Sequence, residues 1–197
     1  MPAEGRPGFT RPLILITLGW AGSAAVIENL ALAGRAILRV SADPAIYDPA
    51  AAALLGLIGG FVSGTVLRGL EPPFGWRHAA GLAVGWSLAL GAAAKVAVGR
   101  GALAILLYPI LAGALGGALT GLVLRQAFGP AAWNFRRLGS YVLLWTLSCL
   151  LGLLPLLIPP IESLLRAGHL TQAAFWAVAA ALGWGLTLRR LPPLEAE

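Results

Sequence analysis

Several groups of residues in this sequence have types and spacings that could do chemistry. The run GLIGGFVSGTVLRGL, residues 56–70, has the glycine density of a loop that cradles phosphate on its backbone N–H groups. Inside it, Phe61-Val62-Ser63-Gly64 sets a hydroxyl beside a glycine, as a serine nucleophile requires. Glu28, Asn29 and Lys95 lie in otherwise apolar stretches, where ionisable groups mark proton, ion or solute sites. His78 and His169 could serve as bases or metal ligands, and Asp43 and Asp48 in SADPAIYDPA as calcium ligands. Each reading depends on the element that holds the residues.

Composition decides what those elements are. Hydrophobic residues make up 58% of the 197 and charged residues 11%, with a mean hydropathy of +0.82. A soluble domain is about one quarter charged, because its surface faces water. Here 14 basic and 8 acidic side chains cannot cover such a surface. Apolar runs recur near 13–34, 50–67, 79–98, 102–124, 138–158 and 171–188. A helix crosses the hydrocarbon core with roughly 20 apolar residues, so each run predicts a transmembrane helix. The expected class is all-α: a single polytopic membrane domain over 1–197. The lipid bilayer is its first partner.

The net charge of +6 comes from arginines dispersed at the span ends, which fits membrane topology and excludes a nucleic-acid face. Arg6, Arg11, Arg68, Arg77, Arg125, Arg136, Arg137, Arg189 and Arg190 fall on the side of the termini. Arg35, Arg39, Lys95, Arg100 and Arg166 fall on the other. The positive-inside bias therefore puts both termini in the cytoplasm. Arg6, Arg11 and Ala31-Leu32-Ala33 around the first run also fit a secretory leader. The lone cysteine, Cys149, excludes an intramolecular disulfide.

Internal repetition argues for a retained first span. Gly56, Gly60 and Gly64 align with Gly113, Gly117 and Gly121, and Leu67-Arg68 with Leu124-Arg125. Pro73 then matches Pro130, and Trp76 matches Trp133. The sixth run keeps the spacing as Ala177, Ala181 and Gly185 before Leu188-Arg189. In the odd runs Trp20, Trp86 and Trp145 each follow Arg11, Arg77 and Arg136 by nine residues. The chain is thus expected to be three tandem hairpins, over 7–70, 73–127 and 132–191, arranged with pseudo-threefold symmetry.

These elements change the chemistry. Lipid offers no partner for open backbone groups, so residues 56–70 should be helical and not a phosphate loop. Glycines four apart share a helix face and let two backbones approach. The three tryptophans lie about 13 Å below the entry arginines, too deep for interfacial anchors. They are expected to pack across the glycine faces of neighbouring even helices, the alternative being that they face lipid. Trp76 and Trp133 read as interface anchors, and Ser63 and Thr120 as packing hydroxyls. Asn29 and Lys95 sit nine residues past Trp20 and Trp86, at equal depth. Either Glu28 neutralises Lys95 between repeats, or Lys95 snorkels to the headgroups while Glu28 sits in a wetter outer boundary. Pro109 and Pro155 are positioned to kink spans four and five. His78 and His169 fall on opposite membrane faces, which excludes a shared metal site, and the Asp43–Asp48 segment is too sparse in ligands for calcium.

The glycine spacing, the Leu-Arg pair, the following Pro and Trp and the Gly-Trp spans resemble uncharacterised bacterial multi-pass membrane proteins. That resemblance implies a bacterial inner-membrane location and carries no activity with it. Rhomboid-like intramembrane proteases are excluded because Phe61 stands where their serine motif needs a small residue. Mitochondrial carriers are excluded because their odd-helix Pro-x-Asp/Glu-x-x-Lys/Arg motif is missing. The expectation is a non-catalytic scaffold or accessory subunit without cofactor or metal, packing against a membrane-protein partner or a second copy. The alternative is a small-solute or ion pathway between the hairpins, lined by Glu28, Asn29 and Lys95.

Overall fold

The computed structural model describes residues 10–38, 48–132 and 135–191. Arg6, Arg39, Asp43 and Trp133 lie outside the described residues.

The described residues form helices joined by short turns, without a strand. They form α1 (Thr10–Leu38), α2 (Pro49–Leu70), α3 (Trp76–Ala97), α4 (Ala104–Ala132), α5 (Phe135–Leu151), α6 (Pro159–Ala167) and α7 (Thr171–Arg189). Six segments are long and apolar enough to cross a membrane: Thr10–Ala33, Pro49–Leu70, Trp76–Ala97, Gly101–Pro130, Arg136–Leu157 and Thr171–Arg189. Their outward positions carry Leu18, Leu30, Leu88 and Leu143, each more than 60% exposed. Helices apolar on the outside as well as the inside belong in lipid. The fold is compatible with a multi-pass membrane protein.

Local chemistry sets the helix ends. Asp48 accepts from the Ala50 and Ala51 backbone N–H groups at 2.8 and 3.2 Å, with Pro49 at the first helical position of α2. Gly75 N donates to His78 Nδ1 at 3.0 Å, which ties down the start of α3. Pro109 lies within α4 without a break in its dihedral angles. The break comes at Gly129, whose φ of 83° suits a residue without Cβ. Pro155 ends a span: α5 stops at Leu151, a 3-10 turn covers Leu154–Leu157, and Pro159 opens α6. The short α6 fills part of the segment between the fifth and sixth apolar runs.

The six long helices close into a ring in the order α1, α2, α3, α4, α5, α7 and back to α1. The most extensive interface joins α2 to α3, and the next joins α4 to α5. Both cross the boundaries between the hairpins expected from the sequence. A repeat in sequence is thus not a separately packed pair, because the Gly56, Gly60 and Gly64 stripe of α2 faces α3 and the Gly113, Gly117 and Gly121 stripe of α4 faces α5. One crossing places the start of α1, the α2–α3 and α4–α5 connections and the end of α7 on one face, called here the terminal face.

Candidate functional site

The interior of the ring is built on tryptophan. Trp20, Trp86, Trp145, Trp176 and Trp184 are completely buried. Trp86 meets Trp20 edge-on at 5.0 Å between centroids and Trp145 at 4.7 Å. Trp176 stacks on Trp20 at 4.8 Å, and Trp184 meets Trp145 at 5.4 Å. Such offset and edge-on contacts match the ring quadrupoles and add to dispersion. The rings therefore meet across the middle of the helix ring.

Each of the three repeated tryptophans lies on a glycine of the even helix in its own hairpin. A Cβ built on Gly59 would fall 2.5 Å from the Trp20 ring, and one on Gly183 2.5 Å from the Trp145 ring. One on Gly116 would collide with the Trp86 ring. These glycines adjoin the predicted stripe and are not members of it. The Gly59-Gly60 and Gly116-Gly117 doublets were the signal for Gly59 and Gly116 in the sequence, whereas Gly183 stands in no doublet.

The stripe itself faces main chain. A Cβ on Gly56 would collide with Trp86 O, one on Gly60 would fall 2.5 Å from Leu82 O, and one on Gly64 2.5 Å from Ala79 Cα. On α4, a Cβ added to Gly113 would fall 2.5 Å from Thr146 Cα, one on Gly117 2.6 Å from Tyr141 O, and one on Gly121 would collide with the Leu138 side chain. On α7, a Cβ added to Gly185 would make ordinary contact with Leu13 Cδ2 at 3.5 Å, while Ala177 and Ala181 are half-buried. Ala79, Leu138 and Leu13 each precede their repeated tryptophan by seven residues, so the outward face of α7 stays in register. Its inward face does not. The frame that pairs Gly59 with Gly116 leads to Ala180, yet Trp145 rests on Gly183 three residues later.

Two of the buried indoles are hydrogen-bonded. Trp20 Nε1 donates to Ser63 Oγ at 2.9 Å, and Trp86 Nε1 to Thr120 Oγ1 at 3.1 Å. Ser63 Oγ donates onward to Gly59 O at 2.8 Å. In the third set, Trp145 Nε1 and Thr187 Oγ1 are both buried and neither has a hydrogen-bond partner among the described residues. The Nε1 atoms of Trp176 and Trp184 share that condition.

The polar candidates separate. Glu28 is buried and accepts from Thr171 Oγ1 and, at 2.9 Å, from Gln172 N. It thereby satisfies an open N–H of the first turn of α7 and sets a carboxylate at the positive end of that helix. Asn29 Nδ2 donates to His169 O at 3.3 Å, holding the α6–α7 turn where His169 adopts a φ of 50°. Lys95 is exposed on α3 and makes no ion pair among the described residues. The carboxylate expected to neutralise Lys95 thus caps α7 instead. A pocket of only about 20 Å³ lies beside Glu28, against Ala24, Ala52, Leu55, Tyr108 and Gln172.

Two further features lie at the terminal face. Arg68 stacks over the Trp76 ring with Cζ 4.1 Å from its centroid, and Phe61 lies parallel to that ring at 6.2 Å. Trp76 is 55% exposed, in keeping with an interface position. A larger cavity, about 380 Å³, is lined by Arg137, Ser140, Tyr141 and Arg190. Among the described residues no three His, Cys, Asp or Glu side chains are grouped to hold a metal.

Comparison with known proteins adds no family: no protein-family model, curated protein or solved structure matches this chain.

Proposed function

We propose that this chain is a non-catalytic integral membrane protein that acts as a scaffold or accessory subunit through helix–helix packing. The observation that carries the reading is the interior of the ring, occupied by five completely buried tryptophans in mutual contact. A conduit needs a polar or wettable path, whereas here the middle is spent on aromatic contacts. The small residues serve the same end, since they bring main chains together between α2 and α3 and between α4 and α5.

In this reading the ring is three tandem hairpins related by pseudo-threefold symmetry, and the three glycine stripes form a zipper that closes it. The support is the tryptophan-on-glycine contact within each hairpin and the glycine-on-main-chain contact between α2 and α3 and between α4 and α5. The arginine bias of the sequence assigns the terminal face to the cytoplasm. The resemblance to bacterial multi-pass proteins assigns the inner membrane. Function then resides on the outer surface of the ring, where a partner or a second copy docks.

Gentle extraction from native membranes, followed by chemical crosslinking and mass measurement, tests this. A stoichiometric membrane-protein partner or a second copy is the expected result. A lone monomer before and after crosslinking overturns it.

A further inference from the structure

The cavity at the terminal face has the composition of an anion site. It opens between the first turns of α5 and the end of α7. Arg190 Nη1 donates to Ser140 Oγ at 3.4 Å, and that hydroxyl donates to Arg137 O at 2.7 Å. One of the Arg190 N–H groups is therefore spent on holding the guanidinium against the cavity wall. Tyr141, 1% exposed, also lines the cavity, and both Arg137 and Arg190 act electrostatically on its phenol. Arg137 and Arg190 both line this one concavity and bring positive charge to it. Their planar forks match the oxygens of a phosphate.

Depth selects the form of that phosphate. Arg137 is the second residue of one apolar segment and Arg190 directly follows the last residue of another. The cavity therefore lies at the level of lipid headgroups, where basic pockets between helices bind acidic lipids. Its volume of about 380 Å³ falls within the range of small-ligand sites.

We propose that Arg137, Ser140, Tyr141 and Arg190 form a binding site for a phosphate-ester anion, of the kind carried by an acidic phospholipid headgroup. The test uses the full chain in neutral detergent, with native mass spectrometry after addition of phosphatidylglycerol, phosphatidylcholine or inorganic phosphate. Wild type is expected to retain phosphatidylglycerol about tenfold better than phosphatidylcholine, and R137Q/R190Q to lose that preference. R68Q, which removes a terminal-face arginine stacked on Trp76, keeps it. Persistence of the lipid adduct in millimolar inorganic phosphate identifies the lipid as the source. Displacement by phosphate, or a phosphate adduct dependent on the same arginines, identifies a free anion. Equal retention of both lipids without a phosphate adduct, or wild-type retention by R137Q/R190Q, overturns the site. Should that variant fail to fold, R137K/R190K decides: it keeps both charges but loses the forks, so its preference must fall several-fold. An unchanged preference in the lysine variant also overturns the site.

Discussion

At the scale of single residues, the interior depends on what small side chains leave out. Gly56 faces the carbonyl of Trp86, which cannot turn aside as a flexible side chain would. Gly56→Ala must therefore push α2 from α3, at a cost of about 1–3 kcal/mol typical of overpacking. Gly22, with open space around its missing Cβ, is the control, and Gly22→Ala is expected to be neutral in the same thermal-unfolding assay. The hydroxyls give a second contrast. Ser63→Ala leaves the buried Trp20 indole N–H without an acceptor and should cost about 1–3 kcal/mol. Thr187→Val removes a buried hydroxyl that has no hydrogen-bond partner, so it should be neutral or stabilising. Equal losses for the two substitutions in detergent-solubilised protein would refute the distinction.

At the scale of elements, legibility followed the range of the force involved. The six spans were readable because lipid demands an unbroken apolar helix, a property of consecutive residues. The close approach at Gly56, Gly60 and Gly64 was readable for a similar local reason, since four-residue spacing fixes a face. Helix α6 was not, because nine residues opened by Pro159-Pro160 give no span-length apolar run. Trp176 and Trp184 lack the arginine offset that flagged the other three, so their place in the interior depended on tertiary packing. Glu28 was visible as an intramembrane carboxylate, but its partners stand more than 140 residues away. Depth along parallel helices suggested Lys95, whereas the folded chain brings the start of α7 against Glu28. That cap supports a prediction: Glu28→Ala should weaken the first turn of α7 by about 0.5–2 kcal/mol. Hydrogen exchange is expected to rise at Gln172 and its neighbours and to stay unchanged in α3 around Lys95. A response in α3 instead would show that the carboxylate serves Lys95.

At the scale of the whole molecule, the closed ring and its filled middle bear on scaffold against conduit. Trp86 is central to this, since its ring touches Trp20, Trp145 and Trp176 and its N–H is bonded to Thr120. Removing it by Trp86→Ala should cost about 3–5 kcal/mol, because aromatic neighbours from three helices cannot all collapse into one void. Flux separates the two readings more directly. Vesicles holding the wild-type chain are expected to pass ions and small solutes no faster than protein-free vesicles. Glu28→Gln and Lys95→Ala should leave that background unchanged, since one residue is occupied at a helix end and the other faces outward. Protein-dependent flux that either substitution alters would replace the scaffold with a pathway, because no rearrangement of a purely packed interior makes conduction depend on those two side chains.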